Sequence, residues 1–165
     1  MKARETLITL TALVAIGLTS FFAYRYERRP EPNSCPFCDR MIHARTAFRI
    51  AVGGRIEVAC CPRCGLHYQA HHPHDVQKAW VADLNSSDPI PAELATYEEG
   101  GDVEYCARPD HAVEREPQGV AVRAYDRCLP TLVAFKTRSE AEDYQKQHGG
   151  RVLTFAEAMK SVQEQ

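Results

Sequence analysis

Two cysteine pairs constrain this chain more than any other feature. Cys35-Pro-Phe-Cys38 and Cys61-Pro-Arg-Cys64 are both C-x-x-C motifs, and 22 residues separate them. Two such turns can each supply a pair of thiolates to one tetrahedral ion, as in structural zinc sites. The spacing therefore predicts one metal site formed by Cys35, Cys38, Cys61 and Cys64, with Zn²⁺ as the expected ion.

The residues between the two pairs predict how the pairs meet. AFRIAV and RIEVAC alternate in polarity around Gly53-Gly54, which is typical of a β-hairpin. Pro62 then suits the first turn of a helix, which should run through Tyr68. A ligand turn, a hairpin and a helix that carries the other two ligands give a treble-clef-like half. Cys60 could replace Cys61 as a ligand, although the spacing favours Cys61.

Other interpretations of the cysteines stay open. A C-x-x-C pair at a helix start can be redox-active because its thiol pKa is lowered, and two disulfides would form in an oxidising compartment. Cys106, His111 and Cys128 show no spacing typical of metal ligands, so the two cysteines are expected to be free buried thiols. The histidines after the second pair should be solvent-exposed, although two share a helix face that could bind metal; they are His67, His71, His72 and His74.

The N-terminal region carries an uncharged run. No charged residue stands between Glu5 and Arg25, and residues 6–24 are mostly apolar. That length suffices for one membrane-spanning helix. A cleaved signal peptide is the alternative, but a good cleavage site is lacking. Positive charges flank both ends of the run almost equally, so charge does not orient it.

Composition excludes several function classes. The chain has 165 residues, 44% of them apolar, and a net charge of -2. It can bury a core, and it lacks the basic stripe that nucleic-acid binding needs. No hydrolytic triad, phosphate-binding loop or dinucleotide fingerprint is present. We therefore expect a non-enzymatic protein with no nucleic-acid partner.

The remaining patterns predict an α+β fold of two small hairpin-plus-helix halves. Residues 1–26 form the expected membrane anchor, 27–33 a linker, 34–84 the treble-clef-like half and 85–165 the second half. A second helix is expected at 75–84. The second half should contain a hairpin of 92–98 with 102–107, strands at 119–125 and 130–136, a helix after the capping box Ser139-x-x-Glu142 that stops at Gly149-Gly150, a short strand RVLTF, and a last helix from the capping box Thr154-x-x-Glu157.

Two stretches resemble the NosL-like family, the nitrous-oxide-reductase accessory proteins that bind copper in the bacterial envelope. They are CPFCDRMI, from Cys35 to Ile42, and AFKTRSEAEDYQKQHGGRVLTFAEAM near the C-terminus. The resemblance covers most of residues 34–159. It implies two related β-β-α halves, a location in the cell envelope and Cu(I) handling on the way to a copper enzyme or its assembly factor. Members of the family are usually lipid-anchored, and here the uncleaved helix would be a substitute tether. We therefore expect a single-pass anchor in the lipid bilayer of the inner membrane, with the soluble domain on the periplasmic side.

The sequence departs from that family in three places. The opening is one residue longer, because Asp39 and Arg40 separate Cys38 from Met41. Glu116-Pro117-Gln118-Gly119 replaces a Pro-Met-Gly turn, and the second cysteine pair is additional. Only Cys38 and Met41 carry over as copper-ligand candidates, with His43 nearby.

We expect a membrane-anchored metal-binding accessory protein with a structural zinc site and Cu(I) transfer near Met41 and His43. The alternatives are a membrane-tethered zinc-ribbon adaptor for a protein partner and a C-x-x-C thiol oxidoreductase.

Overall fold

A computed structural model describes the backbone of residues 2–27, 33–106, 113–115, 121–123 and 126–164, and the side chains of 10–26, 33–106 and 126–164. His111 and the turn at 116–119 lie outside these residues. The described chain forms α1 Lys2–Glu27, β1 Phe48–Val52, β2 Arg55–Ala59, α2 Pro62–His71, β3 Val76–Ala82, β4 Pro89–Pro91, β5 Thr96–Glu99, β6 Val113–Arg115, β7 Ala121–Arg123, β8 Leu132–Phe135, α3 Arg138–His148, β9 Arg151–Leu153 and α4 Phe155–Gln163. The α+β class expected from the sequence is confirmed.

Two compact units divide the chain, Met1–Pro32 and Asn33–Gln165. The first unit contains α1, whose large apolar side chains are exposed from Leu10 onward. No helix among the described residues combines the length and the hydropathy that a membrane span requires. The predicted span therefore has no support from these residues, and the side chains of its first part, 6–9, lie outside them.

The first sheet of the second unit has the strand order β2-β1-β3-β4, all antiparallel. The predicted hairpin is confirmed, with Phe48 opposite Ala59 and a turn at Gly53 and Gly54, both at positive φ. Helix α2 follows β2 as expected. The order of cysteine turn, hairpin and helix is thus as predicted.

The prediction of a helix at 75–84 was wrong. Residues 76–82 form β3, which pairs with all five residues of β1. Strand β1 exposes a second edge whose backbone groups need partners, and β3 supplies them. Trp80 and Val81 also suit a half-buried strand. Tertiary pairing therefore overrides the weak local preference for helix.

The second sheet has the order β8-β5-β9, with β5 antiparallel to both neighbours. The predicted hairpin of 92–98 with 102–107 was wrong, because β5 pairs with strands that follow more than thirty residues later in the sequence. The repeat of two similar hairpin-plus-helix halves fails for the same reason. The strand predicted at 130–136 is confirmed as β8, and part of the one at 119–125 is β7, paired with β6.

The last two helices begin at capping boxes. For α4 the box is Thr154 with Glu157, as predicted. For α3 the prediction of Ser139 with Glu142 was wrong, since Thr137 and Glu140 form the box two residues earlier. Helix α3 ends before Gly149, whose φ of 79° favours glycine.

Strand β5 carries two adjacent buried carboxyl groups that face opposite sides of the sheet. Glu99 pairs with Arg63 of α2, Arg151 of β9 and Ser161 of α4. Glu98 has one buried oxygen without a hydrogen-bond partner among the described residues. Burial, followed by the charge of Glu99, raises the pKa of Glu98 to about 7.

The raised pKa of Glu98 gives a testable pH dependence. Between its unfolded pKa near 4.5 and its folded pKa of about 7, the unfolded chain releases this proton while the folded chain keeps it. Stability therefore falls as the pH rises through this window. We expect Glu98→Gln to raise the free energy of unfolding at pH 8 by on the order of 2 kcal/mol and to gain nothing at pH 4. Urea titrations at both pH values measure this, and an equal gain at both would contradict it.

Candidate metal centre

The first cysteine pair lies in a tight turn that precedes the first sheet. The backbone N–H of Cys35 donates to the carbonyl of Arg40 over 2.7 Å, and the N–H of Asp39 donates back to the carbonyl of Cys35 over 2.9 Å. Asp39 has a positive φ of 59°, which aspartate tolerates better than most residues. Both thiols of the pair therefore stand on one short closed loop. Cys35 is buried and Cys38 half-buried.

The second group of cysteines spans the junction of β2 and α2. Cys60 follows the last residue of β2, Cys61 is the N-cap of α2 and Cys64 lies in its first turn. Pro62 occupies the start of the helix, where its missing N–H is not needed. All three thiols of this group are buried.

Gly65 allows α2 to lie directly on β1. A Cβ atom at this position would come within 2.1 Å of the Phe48 ring, which is fully buried. Only glycine permits this approach without displacing the helix. The close packing places Cys64 beside the cysteine turn.

Cys128 enters the same site from a distant part of the chain. Its backbone N–H donates to Asp126, and Asp126 forms a 2.7 Å ion pair with Arg40 of the cysteine turn. Arg127 donates to the carbonyl of Phe37 over 2.7 Å. The loop at 126–128 is therefore attached to the first cysteine pair by two arginine contacts.

The sulfur atoms form two overlapping groups of four. One contains Cys35, Cys38, Cys60 and Cys64; the other contains Cys60, Cys61, Cys64 and Cys128. Within each group every pair of sulfurs lies within 4.8 Å. We call these six residues the six-thiol cluster.

The predicted ligand set is brought together only in part. Cys35, Cys38 and Cys64 share a group whose fourth member is Cys60, while Cys61 belongs to the other group. Spacing alone could not choose between the adjacent thiols Cys60 and Cys61. Nothing in the spacing indicated Cys128, because it lies 90 residues beyond Cys38.

The distances between the thiols suit metal coordination. The Sγ atoms of Cys38 and Cys60 are 3.4 Å apart, and those of Cys64 and Cys128 are 3.5 Å apart. Four thiolates around one Zn²⁺ at about 2.3 Å stand roughly 3.8 Å from one another. The seven cysteines of the chain are all free, and the contacts are too long for disulfide bonds. The donors therefore fit a thiophilic ion.

Cys106 stands beside the cluster without joining either group. Its Sγ donates to the carbonyl of Cys60 at 3.5 Å, and its own carbonyl accepts from Arg40. Its expected state as a free buried thiol agrees with this position, whereas Cys128 lies inside the cluster.

Contacts among the thiols shift their pKa values in opposite directions. The thiol of Cys106, followed by that of Cys128, raises the pKa of Cys60. Cys128 also raises the pKa of Cys38, but the other cluster thiols lower it more, and its net pKa lies below the ordinary thiol value. Metal binding by these thiols requires their deprotonation, so it would release protons.

Met41 and His43 are both exposed, whereas the thiols of the cluster are buried or half-buried. Met41 is 65% exposed and pairs by its backbone with Ser34. His43 is exposed and belongs to neither sulfur group. The structure therefore places these two candidate copper ligands at the surface.

A groove of about 460 Å³ opens at the cluster. Its lining includes Cys64, Phe37, Arg127, His67, His71 and His72, and we call it the histidine groove. The rings of His67 and His71 lie 4.4 Å apart. Burial, followed by the charge of His71, lowers the pKa of His67, which favours the neutral ring with its free lone pair.

Comparison with known proteins identifies a similar fold. No protein-family model matches the sequence, and no curated protein sequence matches it. The crystal structure of the copper chaperone NosL from Shewanella denitrificans is similar to this structure, with a TM-score of 0.53 and 17% sequence identity over 78% of this chain and 90% of that chain. The NosL-like fold expected from the sequence is therefore confirmed.

Proposed function

We propose that this chain is a metal-binding accessory protein that carries Cu(I) as cargo on its six-thiol cluster. The observation that carries the proposal is the convergence of six thiols from three separate segments, on a fold similar to that of a copper chaperone. Soft thiolate ligands favour Cu(I) over hard ions such as Mg²⁺ and Ca²⁺. The proposed role is binding and transfer, without catalysis.

Two features favour exchange of the cargo over permanent retention. Cys38 is the one half-buried sulfur of the cluster, so it offers a partner protein a point of contact. Cys64 lines the histidine groove, whose neutral His67 can receive a departing ion. A closed structural site would have neither route.

A structural zinc centre is the second candidate. The sulfur contacts of 3.4 and 3.5 Å are close to the edge of a ZnS₄ tetrahedron. In that case the chain would be an adaptor whose metal only stabilises the fold. The two candidates differ in whether the bound ion leaves.

Copper exchange on the full chain separates the two candidates. The reduced protein is loaded with Zn²⁺, titrated with Cu(I), and then mixed with a Cu(I) chelator. We expect Cu(I) to replace Zn²⁺ and to pass to the chelator. Retention of Zn²⁺ against excess Cu(I), together with a lower melting temperature after zinc removal, would favour the adaptor.

The same assay tests the histidine groove. Replacing both His67 and His71 by alanine should slow transfer of Cu(I) to the chelator roughly tenfold, with little change in affinity. This corresponds to an increase of about 1.4 kcal/mol in the activation barrier. His74→Ala is the matched control, because His74 is exposed and outside the groove lining. Equal rates in all three proteins would remove the groove from the transfer route.

Membrane attachment is a further part of the proposal, and its support is the sequence. Residues 6–24 contain no charge, and the described apolar side chains of α1 are exposed. We propose that this segment anchors the protein in the inner membrane with residues 33–165 in the periplasm, where a copper enzyme would be the client. A C-terminal reporter that is active only in the periplasm should be active, and deletion of residues 2–26 should release the protein from membranes. An active cytoplasmic reporter would reverse the topology.

A further inference from the structure

The two sulfur groups together hold more donors than one ion can use. A tetrahedral ion takes four thiolates, and the cluster has six thiols. Cys60 and Cys64 are members of both groups. Two tetrahedra that share an edge have six corners, and two of those corners belong to both.

We propose that the cluster binds two metal ions, with the thiolates of Cys60 and Cys64 bridging them. This inference rests on the proposed function and extends it. Cys35 and Cys38 would complete the first ion, and Cys61 and Cys128 would complete the second. The cargo is therefore a pair of ions on one set of six sulfurs.

The position of Cys60 supports a bridging role. Its Sγ lies 3.4 Å from that of Cys38 in the first group and 3.9 Å from that of Cys128 in the second. Its carbonyl oxygen accepts a 2.7 Å hydrogen bond from the buried hydroxyl of Thr46. The backbone that carries this thiol is thus held between the two groups.

Cys64 occupies the equivalent place on α2. It is in the first group with Cys35 and Cys38, and its Sγ lies 3.5 Å from that of Cys128 in the second. Because α2 packs closely on β1 through Gly65, the backbone that carries this thiol is held in place. Both shared sulfurs therefore come from packed elements.

The number of buried charges also favours thiolates that are shared between the two ions. Two separate tetrahedral sites would need eight thiolates, whereas an edge-sharing pair needs six and so buries two fewer negative charges. Arg40 lies close enough to Cys38 and Cys128, one terminal ligand of each ion, for their charges to act on its guanidinium. Arg127 lines the groove next to Cys64. These cations offset part of the remaining charge.

Metal stoichiometry of the full reduced chain tests the inference. Native mass spectrometry after Cu(I) loading should show two ions in the parent. Cys61→Ser and Cys128→Ser should each bind one, since each removes a terminal ligand of the second ion only. Cys106→Ser is the matched control and should bind two, because Cys106 is a buried thiol beside the cluster that belongs to neither group.

X-ray absorption of the loaded parent gives a readout that does not depend on any variant. A metal–metal scattering contribution is expected for bridged ions. One ion in the parent, with Cys61→Ser and Cys128→Ser unchanged, would overturn the two-ion cluster while leaving the copper-carrier proposal intact. No bound Cu(I) in the parent would instead refute the proposed function itself.

Discussion

Cys60→Ser is expected to lower the Cu(I) affinity of the chain by more than about 100-fold, beyond the effect of removing a group that only supports a ligand. Cys60 belongs to both sulfur groups, so its loss leaves neither with four sulfurs. Cys61→Ser should cost less, because the group of Cys35, Cys38, Cys60 and Cys64 stays complete. Competition with a chelator of known affinity measures both variants.

This comparison distinguishes the two ligand sets, because the spacing in the sequence predicts the larger loss of affinity for Cys61→Ser. The C-x-x-C spacing pairs Cys61 with Cys64, and it leaves Cys60 as a bystander at the end of a strand. Cys106→Ser controls for the loss of a buried thiol outside the groups. A larger loss of affinity in Cys61→Ser than in Cys60→Ser would restore the ligand set expected from spacing.

Local patterns in the sequence predicted the elements whose partners are close in the chain. The hairpin β1–β2 needs only its alternating residues and the turn at Gly53-Gly54. Helix α4 is marked by its own capping box at Thr154 and Glu157. Each of these signals acts within about ten residues, so one sequence suffices to read it.

Elements that depend on distant partners could not be predicted in this way. Residues 76–82 have no strong preference of their own and become a strand because β1 offers an edge. The ladder partners of strand β5 are β8 and β9, which come much later in the sequence. Hydrophobic alternation indicates a strand but does not identify its partner.

The candidate metal centre was likewise predicted only in part. Spacing predicted that Cys35, Cys38 and Cys64 would come together, because a turn and a helix start present thiols at fixed intervals. It did not identify Cys128, whose place depends on the ion pair between Asp126 and Arg40 across the fold. Seven cysteines in one short chain were the available signal that more than four thiols could converge.

Glu99→Gln is expected to destabilise the fold by about 3 kcal/mol, since breaking a buried ion pair by removing one partner costs roughly 3 to 5 kcal/mol. Glu99 is 4% exposed and accepts from Arg63, Arg151 and Ser161. The substitution removes the countercharge that Glu99 supplies to Arg63, which is itself 1% exposed. Chemical denaturation at pH 7 measures the loss.

Glu142→Gln is the matched control for that substitution. Glu142 pairs with Arg138 on α3, where the side chains are 45% and 65% exposed. Exposed pairs of this kind contribute about 0.3 to 0.5 kcal/mol, so the same chemical change should be nearly silent. A similar loss in both variants would mean that the buried network contributes no more than a surface pair.

The same variant connects stability to the metal centre. Arg63 lies on α2 between Cys61 and Cys64, and it also donates to the carbonyl of Pro130, two residues after Cys128. Loss of Glu99 should loosen this arginine and with it the distance between Cys64 and Cys128, now 3.5 Å. We therefore expect Glu99→Gln to weaken Cu(I) binding and Glu142→Gln to leave it unchanged. If Glu99→Gln lowers stability but leaves the affinity at the parent value, the network supports the fold without positioning the thiols.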